Sequence, residues 1–435
     1  MPMTVATIPA PAFAIETFRL DNGLRVVLAP DPGAPVVGVA VVYDVGMRSE
    51  PEGRTGFAHL FEHMMFQGSH NVGKAEHMRH VQSAGGTFNG STHIDYTDYF
   101  NLLPANGLEL ALFLEADRMR GPAITAENLE NQVSVVKEEI RVNVLNRPYG
   151  GFPWLKLPPV MFDTFPNAHD GYGSFGDLEA ATVDDAQAFF DAFYPASNAV
   201  LSVAGDIDVA SARDLVERYF GDVPHRPAPV HPSFAEPDLT AERRESYVDE
   251  RATLPAVAAA WRVPDPVGET ERFLPYVVLG ELLTDGDASR LVERLVHRDR
   301  SATAVAAHAT FMAEPFASRG PTALLIQAFL PPTGEVDTVL DTVGEELERI
   351  ADGVDEAELA RVKARVAAQL LRGDDSVMGR SRRLATAEIF HGDAGFAARF
   401  AAMLGEVTAE SVSQAARAMT PQRRSVLEVV PGGNQ

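Results

Sequence analysis

Short apolar runs and longer amphipathic stretches follow one another along the chain, a pattern typical of a protein built from both strands and helices. Apolar runs bounded by Gly, Pro or Asp predict buried strands. In the first half these runs are residues 24–30, 35–45, 97–104 and 198–205. Apolar positions three and four residues apart predict helices, because they share one face at 3.6 residues per turn. These stretches are residues 107–121, 125–146, 183–194, 336–353 and 356–373.

The chain repeats its strand pattern after about half its length. Residues 193–206 are echoed by residues 419–432, since each run has a proline-led turn before a buried strand. Residues 34–46 and 254–266 match in the same way. The two pairs imply nearly the same shift, although two similar strand–turn units could also match by chance. The repeat predicts an α+β fold of two homologous domains, each a mainly antiparallel sheet with helices packed on it.

A proline-rich stretch lies between the two predicted domains. Residues 221–240 hold five prolines, which is the composition of an extended linker. We therefore expect an N-terminal domain over residues 1–222, a linker over residues 223–240 and a homologous C-terminal domain over residues 241–435.

Composition sets limits on location and ligands. No apolar run approaches the roughly 20 residues that span a bilayer, so no membrane helix is expected. The start of the chain has no basic segment and no sustained apolar core, so it reads as a short flexible lead-in. A cytoplasmic location follows, or a periplasmic or secreted one if a signal peptide was removed. The chain has no cysteine, so any metal must be held by His, Asp or Glu.

The net charge of −24 argues against a nucleic-acid partner, because phosphate binding requires clustered Lys and Arg. The same charge attracts basic partners weakly at cellular salt. A second explanation is that surface acidic residues simply keep the protein in solution.

The stretch GFAHLFEHMMFQGS, residues 56–69, places His59, Glu62 and His63 on one predicted helix. Positions i and i+4 lie on one face a turn apart, so the two histidines can reach one cation. Glu62 can contact a water beside that cation, as in the inverted zinc-peptidase motif. Thr55 is the expected N-cap. The alternative is that these residues merely decorate an amphipathic helix, but burying them without partners costs free energy that a ligand would offset.

A catalytic zinc site uses three protein ligands, and the helix predicted over residues 125–146 offers the third. At about 100° per residue, one narrow arc of this helix is apolar, and Val135 extends it. The arc consists of Leu129, Val133, Val136 and Ile140. Glu139 falls within the extended arc, whereas Glu138 points to the opposite face. Glu139 is therefore the expected third ligand, unless it is only a carboxylate at the flank of an amphipathic helix.

Four stretches of the first half resemble the family of pitrilysin and the mitochondrial processing peptidase, and especially its half-length bacterial subunits. They are GRTGFAHLFEHMMFQGS, GGTFNGSTHIDYTDYF, LELALFLEADRM and ENQVSVVKEEIRVNVLNRPYG. The resemblance implies one Zn²⁺ per chain, held by His59, His63 and Glu139, with Glu62 as the general base. Gln132 stands where some relatives carry a second acidic residue, so one possible carboxylate near the ligands is missing.

The run GGTFNGSTH, residues 85–93, reads as a turn into an edge strand. In relatives of this family the equivalent strand pairs with an extended substrate backbone. The resemblance therefore implies that Asn89 and Gly90 lie near the backbone of an extended peptide. An Asn-Gly pair is also an ordinary hairpin signal that needs no function.

The second predicted domain lacks a feature of active relatives, an arginine followed seven residues later by a tyrosine, which hold the substrate carbonyl. Aligned on residues 289–291, these positions fall at Val296 and Thr303. Valine has no donor and threonine is too short. The resemblance therefore implies a homologous partner subunit that supplies the pair. A heterodimer is favoured, and a homodimer follows if the alignment is shifted.

These observations predict a zinc metalloendopeptidase subunit. It would hydrolyse peptides or unfolded leader segments together with its partner. The alternative is a non-catalytic, zinc-containing subunit of the same family that binds peptides or acts as a scaffold.

Overall fold

The computed structural model describes residues 14–311 and 315–433, so most of the predicted lead-in lies outside it. The described residues form two sheets. The strands are Glu16–Arg19 (β1), Arg25–Pro30 (β2), Val36–Tyr43 (β3), Thr87–Thr92 (β4), Thr97–Pro104 (β5), Ala199–Gly205 (β6), Arg243–Asp249 (β7), Ala256–Val263 (β8), Ala304–His308 (β9), Thr322–Phe329 (β10) and Arg424–Pro431 (β11).

Helices lie between these strands along the chain. In the first half they are Phe57–Met64 (α1), Glu76–Ser83 (α2), Leu108–Arg120 (α3), Ala126–Ile140 (α4), Pro158–Met161 (α5), Phe165–Ala168 (α6), Phe175–Glu179 (α7), Val183–Phe193 (α8) and Val209–Phe220 (α9). In the second half they are Thr270–Thr284 (α10), Val336–Asp352 (α11), Glu356–Asp375 (α12), Val377–His391 (α13), Phe396–Gly405 (α14) and Ala409–Ala418 (α15). Two segments are π-helical, Arg141–Leu145 and Val292–Arg298, and four short 3₁₀ turns are Met47–Ser49, Ala105–Gly107, Ala196–Asn198 and Pro421–Arg423.

The two sheets share one strand order. The first runs β1-β2-β6-β3-β5-β4 and the second β7-β11-β8-β10-β9, so the second repeats the first without an equivalent of β1. Each sheet has one parallel pair, β2 with β6 and β7 with β11, and its other pairs are antiparallel. The predicted α+β class with two mainly antiparallel sheets is confirmed. The predicted edge strand is also confirmed, because β4 ends the first sheet.

Each sheet is covered on one face by helices of its own half and on the other by a segment from the opposite half. Leu384 and Phe390 of α13 pack on Val42 and Val200 of the first sheet. In return, residues 152–162 pack on the second sheet through residues such as Leu157. The predicted domain bounds stay a prediction, since this packing crosses them.

A buried ionic cluster also joins the halves. The Arg319 guanidinium donates to both oxygens of Asp44, at 2.8 and 2.7 Å, and its backbone N–H donates to Asp95. Arg48 lies near Asp95 and donates to three carbonyls of residues 319–321. Fixed, charge-assisted contacts of this kind hold the residues 315–321 against the first half. Among the described residues, no helix is both long and apolar enough to cross a membrane.

Candidate metal centre

Helix α1 separates polar and apolar residues onto opposite sides. Its buried residues, Phe57, Ala58, Leu60, Phe61 and Met64, pack into the core over the first sheet. His59, Glu62 and His63 are half-buried on the other side. The apolar side fixes the helix on the sheet, and the remaining side therefore carries the three polar groups.

The start of α1 differs from the prediction. Thr55 is not the N-cap, because the helix begins after Gly56, whose φ of 86° is left-handed. A Cβ on Gly56 would lie 2.5 Å from the Tyr172 carbonyl oxygen, so only glycine fits. The carboxylate of Glu50 satisfies the first helical N–H groups instead, by accepting from Gly56 and Ala58 at 2.8 Å each. A cap six residues away in sequence leaves no local signal.

Helix α4 brings Glu139 to the two histidines. Its carboxylate oxygens lie 3.7 Å from His59 Nε2 and 3.4 Å from His63 Nε2. One donor atom from each residue lies within 4.8 Å of the others. Glu138 points to solvent and pairs with Arg141, as the helical plot predicted. Val135 is exposed, however, so Glu139 lies at the edge of the buried face and not within it.

Burial and charge act differently on the three donors. Burial, reinforced by the neighbouring His63, lowers the pKa of His59 to about 4, so its ring is neutral at pH 7. Burial opposes protonation of His63, but the Glu139 carboxylate outweighs it and raises the His63 pKa. The hydrogen bond from His63 lowers the pKa of Glu139. A neutral imidazole and an ionised carboxylate are the forms that bind a metal ion.

Glu62 lies beside this cluster and contacts the edge strand. The Thr92 hydroxyl donates to Glu62 Oε2 at 2.7 Å. Burial raises the pKa of Glu62, and the Thr92 hydrogen bond partly offsets the increase. A Cβ on Gly90 would lie 3.1 Å from Glu62 Cγ, so the strand and the carboxylate are in close contact. Gly90 is therefore next to Glu62, while the Asn89 side chain is exposed and, by the alternation of a strand, points away.

Three further contacts were not predicted from the sequence. The Tyr172 ring packs edge-on against His59, with centroids 5.1 Å apart. Asn143 hydrogen-bonds Glu139, and Gln132, which is buried, hydrogen-bonds His63. Thr92 could have been found, because it lies two residues after Gly90 on the same face of β4. Tyr172 lies in an irregular loop, which has no periodicity to reveal it.

A cavity of about 580 Å³ opens next to the cluster and lies between the two halves. Thr92, Asn143 and Tyr172 line its side toward the candidate metal centre, and residues of α10 and β9 line the other. Val296 lies in the π-helical turn, and Thr303 is exposed just before β9. Neither of them lines this cavity.

The residues present fit a zinc ion. Two imidazole nitrogens and one carboxylate oxygen form a donor set that catalytic zinc sites use. Donor atoms about 2.0–2.1 Å from a tetrahedral zinc lie about 3.3 Å from one another, close to the two distances from Glu139.

Comparisons with known proteins define the class. Residues 25–148 match the family model described as insulinase (peptidase family M16), and residues 180–366 match the model described as peptidase M16 inactive domain. The two models together match more than two thirds of the chain. The chain is a member of a class of zinc proteases, and specifically it belongs to peptidase family M16. The predicted resemblance to the pitrilysin family is thereby confirmed.

Individual relatives of this chain are also named as zinc proteases. A zinc protease of Helicobacter pylori, PqqE, is 28% identical over 296 residues, which are 67% of this chain and 66% of that relative. An uncharacterized zinc protease of Mycobacterium tuberculosis is 26% identical over 437 residues, covering 100% of this chain and 97% of that protein.

Solved structures share the fold. The crystal structure of a Helicobacter pylori protease superposes with a TM-score of 0.88 at 23% identity, covering 97% of this chain and all of that one. The periplasmic protease PqqL of Escherichia coli gives a TM-score of 0.75 at 17% identity, and this chain covers only 48% of it. This chain therefore spans about half the length of PqqL, which contains the same fold.

Proposed function

We propose that this chain is a zinc metalloendopeptidase subunit that hydrolyses peptides or unfolded leader segments. The observation that carries the proposal is the convergence of His59, His63 and Glu139 beside Glu62. Their neighbours Thr92, Asn143 and Tyr172 line an adjacent cavity. His59, His63 and Glu139 would hold one zinc ion. When bound, zinc supplies Lewis acidity, because it lowers the pKa of a water molecule and polarises the scissile carbonyl.

The chain's own residues supply the proton transfer and the substrate position. Glu62, with its raised pKa, is suited to accept a proton from water and to return it to the leaving amine. The free edge of β4 offers backbone groups to an extended peptide, with Asn89 and Gly90 beside that peptide. The Tyr172 ring, packed edge-on against His59, covers part of that imidazole.

A homologous partner subunit completes the proposal. Neither Val296 nor Thr303 can donate as arginine and tyrosine do, so the carbonyl-stabilising pair would come from the partner. This chain matches about half of the PqqL chain, and this supports a pairing of two such halves. A heterodimer is favoured, and a homodimer is the other arrangement.

The experiment is hydrolysis of a quenched fluorescent peptide library by zinc-loaded protein, alone and with a candidate partner of similar length. We expect turnover only in the mixture. Glu62→Gln should abolish turnover and leave zinc bound, and Glu139→Gln should release zinc. Glu138→Gln is the matched control, because Glu138 adjoins the site in sequence but faces solvent. Full activity of the chain alone would contradict the need for a partner.

A second candidate is a zinc-containing subunit that binds peptides without hydrolysing them. The absence of the Arg/Tyr pair at Val296 and Thr303 favours it. Under this function, peptide binding would occur in the assembly, no turnover would be seen, and Glu62→Gln would change nothing. The same library assay, read by binding and by cleavage, separates the two candidates.

A further inference from the structure

The start of helix α1 is held by a carboxylate without any exposed surface. Glu50 accepts backbone hydrogen bonds from Gly56 and Ala58, and its Oε2 atom also lies 3.1 Å from His169 Nε2. The Glu50 side chain is 0% exposed and that of His169 is 8% exposed. A negative charge at a helix N-terminus is favourable, because the first N–H groups carry the positive end of the helix dipole.

The surroundings of His169 determine its charge. Its Nδ1 atom lies 2.8 Å from the Phe165 carbonyl oxygen, and its Nε2 atom lies 2.9 Å from the Met47 carbonyl oxygen. Carbonyl and carboxylate oxygens only accept hydrogen bonds, so both ring nitrogens must donate. A neutral imidazole donates from one nitrogen only and would direct a lone pair at an oxygen. His169 is therefore an imidazolium, and its hydrogen bond with Glu50 raises its pKa although burial opposes this.

No other ionic group competes for this ring among the described residues that contact it. The flat face of His169 stacks on Phe165, with centroids 4.5 Å apart. The adjacent Asp170 is turned away and accepts from the Gly173 backbone at 2.9 Å. Burial raises the pKa of Glu50 on balance, although the hydrogen bond with His169 and the two backbone donors oppose the increase. The geometry is that of an ion pair, because both ring nitrogens face acceptors and Nε2 lies 3.1 Å from Glu50 Oε2.

The Glu50–His169 pair also fixes the loop of residues 169–173, which packs against helix α1. His169 lies three residues before Tyr172, whose ring contacts His59. Gly173 follows, and its backbone lies so close to Thr55 that a Cβ would meet the Thr55 carbonyl oxygen at 2.3 Å. One ion pair thus links the loop of residues 169–173 to the first turn of α1.

We propose that Glu50 and His169 are positioning residues, a buried ion pair that sets the place of α1 and so the spacing of His59 and His63 from Glu139. The inference rests on the proposed function, since α1 needs such placement only if it holds a metal ion. Glu50 lies nine residues before His59, and His169 lies on a different element, so neither would be chosen by the metal motif alone.

The test measures the zinc affinity of the purified chain by competition with a chromogenic chelator. We expect Glu50→Gln and His169→Asn each to weaken zinc binding at least tenfold. The stoichiometry should stay at one zinc ion per chain. The double variant should bind no more weakly than the weaker single variant, because the pair acts as a unit. Glu50→Asp keeps the charge and should stay nearer to wild type than Glu50→Gln.

The matched control is Asp355→Asn, because Asp355 also accepts two backbone N–H groups at a helix start, on α12. It should lower thermal stability and leave zinc affinity within twofold. Unchanged zinc affinity in the folded Glu50 and His169 variants, with only a lower melting temperature, would overturn the proposal. Equal losses in Glu50→Asp and Glu50→Gln would also overturn it, because charge would then not matter.

If the variants fail to fold, a measurement on the wild-type protein still tests the proposal. Histidine-selective ¹⁵N NMR of the metal-free chain at pH 7.5 should show the assigned His169 ring doubly protonated, and singly protonated in Glu50→Gln wherever that variant folds. If the His169 ring of the wild-type chain is singly protonated, the ion pair does not exist. If the wild-type chain binds no zinc at all, the proposed function fails instead, so the two failures are distinguishable.

Discussion

The contact of Thr92 with Glu62 ties the proposed base to the edge strand. The hydroxyl donates to a carboxylate that burial would otherwise drive toward its protonated form. A hydrogen bond to a charged group contributes about 1.5–3 kcal/mol. Thr92→Val should therefore lower kcat about 10- to 100-fold, with zinc content unchanged. Steady-state kinetics of the zinc-loaded assembly and metal analysis check this.

Thr92→Ser is the matched variant, since serine keeps the donor. It should retain most of the wild-type kcat, whereas a loss equal to that of Thr92→Val would show that the methyl group and not the hydrogen bond is important. Gly90 adjoins the same carboxylate, so both variants are best made with Gly90 intact.

At the residue scale, the sequence predicted those candidate site residues whose spacing follows the helical repeat. His59 and His63 follow the helical repeat, and the helical plot chose Glu139 over Glu138. Tyr172 and His169 were not found, because a loop has no period. Glu50 was not found either, because it caps a helix from outside the usual N-cap position.

At the element scale, helix α2 is anchored by a buried histidine. The polar sequence of this helix predicts that its histidines are exposed, and for His77 that prediction is wrong, because it is 6% exposed and lies 3.2 Å from Asn101 Oδ1. Its ring also packs against Phe66 and Phe88. A short polar helix gave no signal that one of its histidines faces the sheet.

This burial predicts a loss of stability in acid. Burial, with repulsion from Arg118, lowers the pKa of His77 to about 4 from 6.5. Above pH 6.5 the ring is neutral in both the folded and the unfolded state. As the pH falls from 6.5 toward 4, the unfolded state binds the proton first, and the free energy of unfolding decreases by up to about 3 kcal/mol. Urea unfolding across this range measures the slope.

The matched pair of variants lies on one helix. His77→Gln should flatten the pH dependence of unfolding between pH 6.5 and 4, whatever its effect at neutral pH. His80→Gln, at an exposed position of α2, should leave the slope unchanged. An identical slope in His77→Gln would show that other groups cause the acid sensitivity.

Most of the predicted elements have the predicted type, and the reason why one helix, α13, was missed is physical. The strands β3 and β8 are eight residues each and lie 220 residues apart, as the repeat implied. Helix α13 was not predicted, because it is buried on several sides and therefore lacks a clear polar face. Its packing partner is a sheet more than 170 residues away in the sequence, which no local pattern reveals.

At the scale of the whole molecule, the exchange of covering segments makes two homologous halves into one cooperative unit. The first sheet loses one of its covering layers if α13 is removed, and the second sheet loses residues 152–162 in the same way. We therefore expect one calorimetric transition, with calorimetric and van't Hoff enthalpies nearly equal.

Leu112→Ala in the first core and Leu347→Ala in the second should each lower the free energy of unfolding by about 2–5 kcal/mol and shift that single transition. Leu384→Ala on α13 should do the same, although Leu384 belongs to the second half and packs on the first. Two separable transitions, each moved by only one of the core variants, would show that the halves fold independently and that the exchanged segments are not needed for either.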